Sequence, residues 1–273
     1  MTEEPTPEQF IEALRPAIRQ AAAIGRALEG RVPNRPKAGE ATDVKAALTL
    51  ADTAAQEAIL VPLLERWPGI GVTPEEDTPS VAGFADRTSM RVVVDPIDGT
   101  LRSYLEARGP YGCMVGLAVD DVYEAALVAL PREGLFFDGI RGGSARRSRR
   151  VGEAREWRAE ASGPRVLISY DMPEPVVTRL RAAGWEVAYG CGGAISVAPL
   201  IPGVRAGLRL AKPGQAISIR GRIGNVIARA AGALVADAAG EPFPEALETP
   251  HRELLIATDS DDLAVLREAI ALA

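Results

Sequence analysis

Two carboxylates three positions apart, Asp95 and Asp98, are the residues of this sequence best suited to chemistry. Three valines precede them, and β-branched residues of this kind predict a buried parallel strand. Pro96 has no backbone N–H, which predicts that the strand ends at or near Asp95. Both acids are therefore expected on a tight turn at a strand end, where α/β proteins bind ligands and where carboxylate oxygens suit a hard cation.

Phosphate-binding groups are expected directly beside these acids. Gly99 and Thr100 offer unencumbered backbone N–H groups, which bind an anion if a helix begins there. A second acidic stretch, Glu75–Asp77, follows a predicted short strand at Gly71–Thr73. Taken alone, adjacent acids in a loop are typical of a solvated turn. The central motif nevertheless predicts one combined site for a metal ion and a phosphate group.

The composition excludes several classes of function. The chain has 273 residues and a net charge of −6, so it lacks the basic excess that nucleic-acid binding requires. No apolar run approaches the ~20 residues that span a bilayer, and we expect no membrane segment. Cys113 and Cys191 are far apart, which favours reduced thiols and a cytoplasmic location. The single histidine, His251, argues against His-based nucleophilic catalysis and a His-rich zinc site.

Periodicity predicts the elements that position these residues in the first half. An amphipathic helix is predicted to end near Leu28, and Pro16 predicts a kink or a break within it. A second helix is predicted over Thr53–Glu65, for which Asp52 is a plausible N-cap. Short connections predict antiparallel pairing of strands over residues 111–119, 122–130 and 135–138.

The rest of the chain predicts the fold class. The segment Arg141–Arg150 suggests either a phosphate or nucleic-acid patch or an exposed loop, and we favour the loop. From about Ala159 strand and helix patterns alternate, and an Ala-rich helix is predicted over Gly224–Ala239. We predict an α/β fold with alternating α-β-α-β-α layers, an antiparallel sheet in the first half and a mixed or parallel sheet in the second. The predicted domains are a metal-binding half, residues 1–150, and a half that completes the substrate pocket, residues 151–273.

Three segments together resemble the inositol monophosphatase family, which is grouped with bisphosphate nucleotidases and fructose-bisphosphatases. They are Thr49-Leu50-Ala51-Asp52, Glu75-Glu76 and Asp95-Pro96-Ile97-Asp98-Gly99-Thr100. The similarity extends over most of the chain. It implies a Mg²⁺-dependent phosphomonoesterase that uses metal-activated water to hydrolyse a small inositol, sugar or nucleotide phosphate. A homodimer is the common state in the family.

The resemblance also implies the metal ligands. Glu75, Asp95 and the backbone carbonyl of Ile97 would bind one Mg²⁺, and Asp95 with Asp98 would bind a second. Carboxylate and carbonyl oxygens are the ligands that Mg²⁺ prefers. Two ions suit in-line attack, because one activates water and the other stabilises the leaving oxygen.

Catalytic and substrate-binding residues follow from the same resemblance. Thr100, paired with Asp52, would orient the attacking water, so Asp52, Thr100 and the metal ligand Glu75 are the predicted catalytic residues. The amides of Gly99 and Thr100 would hold phosphate oxygens. A helix start would contact the alcohol part of the substrate through Gly192, Gly193 and Ala194.

One departure from the family concerns its signature Trp-Asp-x-Ala-Ala-Gly, whose Asp binds the second metal. The corresponding stretch here is taken as Ile227–Gly232, which places Ala228 at the Asp position. Asn225 is either a stand-in ligand on the same helix face or an N-cap. The preceding segment, Leu208–Ile223, is longer and more basic than is usual in the family. A second hypothesis is therefore a degenerate member that binds an anionic ligand or a partner and catalyses little.

Overall fold

The described residues form α-helices and β-strands in both halves of the chain. The computed structural model describes residues 4–85, 88–149, 154–160 and 162–271. Within them the helices are α1 (Pro7–Leu28), α2 (Asp43–Ala46), α3 (Leu50–Arg66), α4 (Glu174–Ala182), α5 (Gly192–Ser196), α6 (Asn225–Ala230) and α7 (Ser260–Ile270). The strands are β1 (Gly71–Thr73), β2 (Met90–Asp98), β3 (Gly112–Val119), β4 (Val122–Leu130), β5 (Leu135–Ile140), β6 (Ala145–Arg149), β7 (Arg155–Glu156), β8 (Arg165–Ile168), β9 (Glu186–Tyr189), β10 (Val204–Leu210), β11 (Leu234–Ala236) and β12 (Glu253–Ala257). Short helical turns occupy Pro79–Gly83, Thr100–Leu105, Ala198–Leu200 and Arg220–Arg222.

Two sheets form the β layers. The first has the strand order β1-β2-β3-β4-β5-β6-β7 and is antiparallel except for the parallel pair β1–β2. The second has the order β11-β12-β10-β8-β9, with parallel pairs β10–β8 and β8–β9 and antiparallel pairs elsewhere. The predicted fold class is therefore confirmed, including the antiparallel sheet of the first half and the mixed sheet of the second.

Three apolar clusters fill the spaces between the layers. One face of the first sheet buries Val94 against residues of α1 and α3, such as Phe10 and Ile59. Its other face shares a cluster with α5, α6 and the second sheet, in which Met114 and Leu254 take part. Helices α4 and α7 cover the remaining face of the second sheet. The predicted boundary between residues 150 and 151 lies outside the described residues, and the division into two domains stays a prediction.

The structure contradicts two expectations about helices, a break at Pro16 and an N-cap at Asp52. Pro16 does not break α1, whose apolar face is buried along its length. Asp52 is not the N-cap of α3, because that helix begins at Leu50 and Thr49 caps it. Asp52 is instead the third helical residue and accepts hydrogen bonds from the Thr49 amide and hydroxyl, each 2.7 Å long. This capping box stabilises an additional turn ahead of the predicted start.

Strand β2 extends farther than predicted. It pairs with β3 as far as Asp98, which lies opposite Gly112, and does not end at Asp95. The register shifts between Asp95 and Asp98, so Pro96 lies in an irregular part of the ladder. A proline is tolerated there because no regular hydrogen bond needs its missing N–H.

Two predictions later in the chain also need correction. Residues Ala145–Arg149 of the predicted loop form β6, which pairs with β5. The helix predicted over Gly224–Ala239 ends at Ala230, and Gly232 has a φ of 86°. Residues 234–236 then pair with β12. Local Ala content favours a helix, but pairing with a buried strand overrides this weak preference.

Two further findings concern the cysteines and the membrane. Cys113 and Cys191 are both buried and unpaired, in agreement with the prediction of reduced thiols. Burial raises the pKa of both thiols well above its usual value, so they are poor nucleophiles. In the part of the chain that the structure describes, no helix combines the length and the apolar character needed to cross a membrane.

Candidate active site

A cleft with a volume of about 1250 Å³ brings together residues from both halves of the chain. The first half contributes Glu75, Asp95, Asp98, Gly99 and Thr100 to its lining. The second half contributes, among others, Gly192, Arg209, Lys212 and Arg220. The remaining predicted site residues are buried and do not line the cleft; they are Asp52, Ile97, Gly193 and Ala194.

The acidic centre of the cleft is the pair Glu75 and Asp95. Parallel pairing of β1 with β2 brings the loop after β1 beside the end of β2. The two carboxyl groups lie close enough to share a hydrogen bond when one of them is protonated. Burial raises the pKa of Glu75 to about 7, and burial together with the Glu75 charge raises the pKa of Asp95 well above its ordinary value. The metal-free pair therefore holds a proton near neutral pH.

The oxygens of this pair fit a divalent cation. Glu75 Oε2 and Asp95 Oδ1 are buried and, when both acids are ionised and cannot share a proton, have no hydrogen-bond partner. Unpartnered buried carboxylate oxygens are costly, and a hard cation would satisfy both of them. The Ile97 carbonyl follows on the same strand end and adds an oxygen of the required type. Among the described residues, however, no three Asp, Glu, His or Cys side chains group as a metal site.

Thr100 and Asp52 form a hydrogen-bonded pair beside these acids. The Thr100 hydroxyl lies 2.9 Å from Asp52 Oδ1 and 2.8 Å from the Ile97 carbonyl oxygen, so its single proton is donated to one of the two. Asp52 is fully buried, and burial raises the pKa of its carboxyl group. The capping box at Thr49 holds the other Asp52 oxygen, which leaves Oδ1 for Thr100.

Asp98 is held by the start of α5. The Gly193 amide donates to Asp98 Oδ2 over 2.5 Å. Gly99, which follows Asp98, has a φ of 84°, and a Cβ there would lie 2.8 Å from the Ser103 hydroxyl. Asp98 is thus oriented by the Gly193 amide, and the backbone turn that follows it requires a glycine.

We expect a Gly193→Ala substitution to displace Asp98. A Cβ at Gly193 would collide with the Met114 sulfur and lie 3.2 Å from Asp98 Oδ2. Overpacking of this kind costs about 1–3 kcal/mol of unfolding free energy, and divalent-ion affinity should fall as well. Thermal unfolding and Mn²⁺ titration measure the two effects. Gly190→Ala is the matched control, because its Cβ would meet nothing closer than 3.5 Å; equal losses in both variants would contradict this account.

Comparison with known proteins identifies the family. The sequence model of the inositol monophosphatase family matches residues 9–161, which is more than half of the chain. The chain belongs to the inositol monophosphatase family. No curated protein sequence matches the chain significantly.

Solved structures of inositol monophosphatases and of a SuhB protein share the fold over nearly the whole chain. An IMPase from Thermotoga maritima superposes with a TM-score of 0.73 at 18% identity, covering 94% of this chain and 96% of its own. The SuhB protein from Bartonella henselae gives 0.73 at 15% identity, with 97% and 99% covered. An IMPase/NADP phosphatase complexed with Mg²⁺ and phosphate gives 0.72 at 15% identity, with 98% and 97% covered. Such identities show the fold alone.

The structure does not bring Ala228, the predicted departure from the family signature, to the cleft. Ala228 is fully buried in the apolar cluster between the two sheets and does not line the cleft. Asn225 is neither a stand-in ligand nor an N-cap, because it lines a separate cavity and Gly224 precedes the helix as its cap. The residue that this part of the chain brings beside the acids is Arg220.

Sequence reasoning missed two arginines of the cleft. The Arg209 guanidinium lies against Gly192 and Gly221, where a Cβ on either glycine would collide with it. Its Nη1 atom is buried and has no hydrogen-bond partner. Gly192 thus makes room for an arginine, which sequence reasoning did not foresee. The only sequence signal for Arg209 and Arg220 was the unusually basic segment Leu208–Ile223 that contains both.

Proposed function

We propose that this chain is a Mg²⁺-dependent phosphomonoesterase acting on a small inositol, sugar or nucleotide phosphate. The observation that carries the proposal is the buried pair Glu75 and Asp95, whose unpartnered oxygens adjoin the Thr100–Asp52 hydrogen bond. A cation site beside a hydroxyl that is held by a buried carboxylate is suited to the hydrolysis of a phosphate ester by water. Family membership and fold support the same reaction class.

Each residue would have a separate task. Glu75, Asp95 and the Ile97 carbonyl would hold Mg²⁺, which when bound supplies positive charge that activates water and neutralises phosphate. The Thr100 hydroxyl, donating to Asp52, would accept a hydrogen bond from the attacking water and orient it. The amides of Gly99 and Thr100 would bind phosphate oxygens, and Asp98 is kept in place by Gly193.

The second half of the chain would bind the alcohol part of the substrate. Gly192 lines the cleft, whereas Gly193 and Ala194 are buried behind it and would support the site indirectly. The cleft also exposes Arg209 and Lys212, whose positive charges suit a substrate with further anionic or hydroxyl groups. The proposed ligand is therefore a small phosphorylated metabolite.

A second candidate function is the binding of an anionic ligand with little turnover. The position of Arg220 favours it, because a guanidinium beside Glu75 and Asp95 competes with a metal ion for the same negative charge. The retained Thr100–Asp52 pair favours the phosphatase.

Phosphate release from a panel of esters tests the proposal. The panel contains inositol phosphate, fructose bisphosphate and adenosine bisphosphate, each with and without Mg²⁺. We expect Mg²⁺-dependent release from at least one ester and none above background from an Asp95→Asn variant. Binding of an ester without release in wild type would favour the second candidate. Activity that survives both EDTA and Asp95→Asn would refute the metal-dependent mechanism.

The remaining predictions concern the surroundings of the protein. A homodimer, a cytoplasmic location, and the lack of nucleic-acid and membrane partners stay predictions. Size-exclusion chromatography with light scattering would test the first of them.

A further inference from the structure

Arg220 lines the cleft beside the expected metal ligands. Its Nε donates to the Val94 carbonyl over 3.0 Å, and its Nη2 donates to the Pro74 carbonyl. These carbonyls belong to the residues directly before Asp95 and Glu75. The guanidinium is therefore tied to both chain segments that carry the acidic pair, through their main chains.

The positive charge of Arg220 acts on both acids. Its guanidinium is held next to the residues that precede Asp95 and Glu75, so its charge lies close to both carboxylates. Neither acid forms an ion pair with Arg220 within the described structure, so their unpartnered oxygens stay available to a cation. The hydrogen bonds to the carbonyls use two of the three guanidinium nitrogens, and the side chain lines the cleft.

The number of acids limits how many divalent ions can bind. Glu75 and Asp95 suffice for one ion together with the Ile97 carbonyl, whereas Asp98 already accepts the Gly193 amide hydrogen bond at Oδ2, which leaves Oδ1 for a second ion. Among the described residues no further carboxylate completes a three-acid group. A second divalent ion would have to bind near a fixed guanidinium with few negative ligands to offset the repulsion.

We propose that Arg220 is a built-in second cation: the site binds a single divalent ion, and the Arg220 guanidinium supplies the other positive charge that the phosphate group meets. This inference rests on the proposed function for the identity of the anion. Arginine suits the role because its planar N–H groups bind phosphate oxygens and its charge is permanent.

Mn²⁺ binding provides the first test. In a Mn²⁺ titration, electron paramagnetic resonance measures the free ion, and the difference from the total gives the bound ion. We expect one ion bound per wild-type chain. Arg220→Met retains length without charge, and we expect it to bind Mn²⁺ about tenfold more tightly because repulsion is removed. Arg220→Lys should stay near wild type. Arg102→Met is the matched control, since Arg102 also lines the cleft but is paired with Glu106 at 3.1 Å.

Binding of inorganic phosphate provides the second test. Here we expect Arg220→Met to lower the affinity, whereas it raises the affinity for Mn²⁺. In the presence of saturating Mn²⁺, we expect Arg220→Met to bind phosphate about tenfold more weakly than wild type, because one charge-assisted contact is lost. A purely structural role for Arg220 would change both affinities in the same direction, since its hydrogen bonds position the acids as well. Tighter Mn²⁺ together with weaker phosphate therefore identifies the electrostatic role.

Two results would overturn the inference. One is two Mn²⁺ ions per wild-type chain; the other is an Arg220→Met variant in which both affinities weaken or neither changes. The wild-type stoichiometry decides the matter even if the variant does not fold. Phosphate release by a chain with two ions would refute the role of Arg220 and leave the phosphatase proposal intact. One ion per chain with no phosphate release from any ester would refute the phosphatase proposal and leave the role of Arg220 intact.

Discussion

A Glu75→Gln variant is expected to lose phosphatase activity and, in its metal-free form, to be more stable than wild type. Activity should fall about 100-fold or more, as when one electrostatic contact to a transition state is removed. The stability gain arises because burial raises the pKa of Glu75 from its ordinary 4.5 to about 7 in the folded protein. Glutamine keeps the shape and can donate to Asp95 without adding a like charge.

The size of this stability gain depends on pH. A folded-state pKa above the unfolded value means that the folded protein binds more protons between pH 4.5 and 7, so its stability falls as pH rises through this window. The variant lacks this titration. Its advantage in EDTA should be absent below pH 4.5 and reach about 1–3 kcal/mol above pH 7. Urea unfolding at pH 4 and pH 8 measures it.

Glu76→Gln is the matched control for this prediction. Glu76 is the next residue and is buried, but it pairs with Lys37 at 3.0 Å. Loss of that ion pair should destabilise the protein by about 1–3 kcal/mol and leave the Mn²⁺ stoichiometry unchanged. If both variants lost stability to the same degree at pH 8, the account of Glu75 would be wrong.

A Thr100→Val variant is expected to lose activity while it still binds Mn²⁺. Valine keeps the volume of threonine but removes the hydroxyl that donates to Asp52 or to the Ile97 carbonyl. Loss of a positioned proton-transfer or water-orienting group lowers kcat by about 10²–10⁴-fold. The measurement is kcat on the best ester of the panel, with the Mn²⁺ titration as the readout for an intact metal site.

Two further variants separate catalysis from folding. Thr49→Val removes a hydrogen bond to the other oxygen of Asp52, and we expect a loss of about 1 kcal/mol of stability with most activity retained. Asp52→Asn combined with Thr100→Val should be no slower than Thr100→Val alone, because the two residues act as a unit. Fully additive losses in the double variant would show that Asp52 and Thr100 act independently.

Short-range patterns determined much of what could be predicted here. The acids of the Asp95–Thr100 motif, the glycine after them and the antiparallel strands β3 to β5 depend on neighbours in sequence and on alternation along a strand. The resemblance carried by the motif also predicted the proximity of Asp52 and Thr100, which lie 48 positions apart and meet at 2.9 Å. The motif and the strands were predictable because local spacing and periodicity specify them, whereas the Asp52–Thr100 contact was only implied by the family resemblance.

Other features depended on the tertiary structure. The Ala-rich stretch after Gly224 favours a helix locally, yet residues 234–236 join β12, because burial and backbone pairing outweigh propensity. Helix α6 therefore ends earlier than predicted, and its residue Ala228 is buried in the core. The long basic segment before it then places Arg220 against the carbonyls of Pro74 and Val94, more than a hundred residues earlier in the chain.

The sequence by itself thus determined the family, the layers and the acidic motif, since these rest on local spacing and on side-chain type. Only the tertiary structure shows that the Arg220 guanidinium lies beside the acids. This position depends on how a loop from the second half of the chain packs against the end of β2, and no local pattern encodes the meeting of two segments so far apart. The acids predict a site whose negative charge must be balanced by cations. The packing of Arg220 determines how much of the balancing positive charge comes from the protein itself.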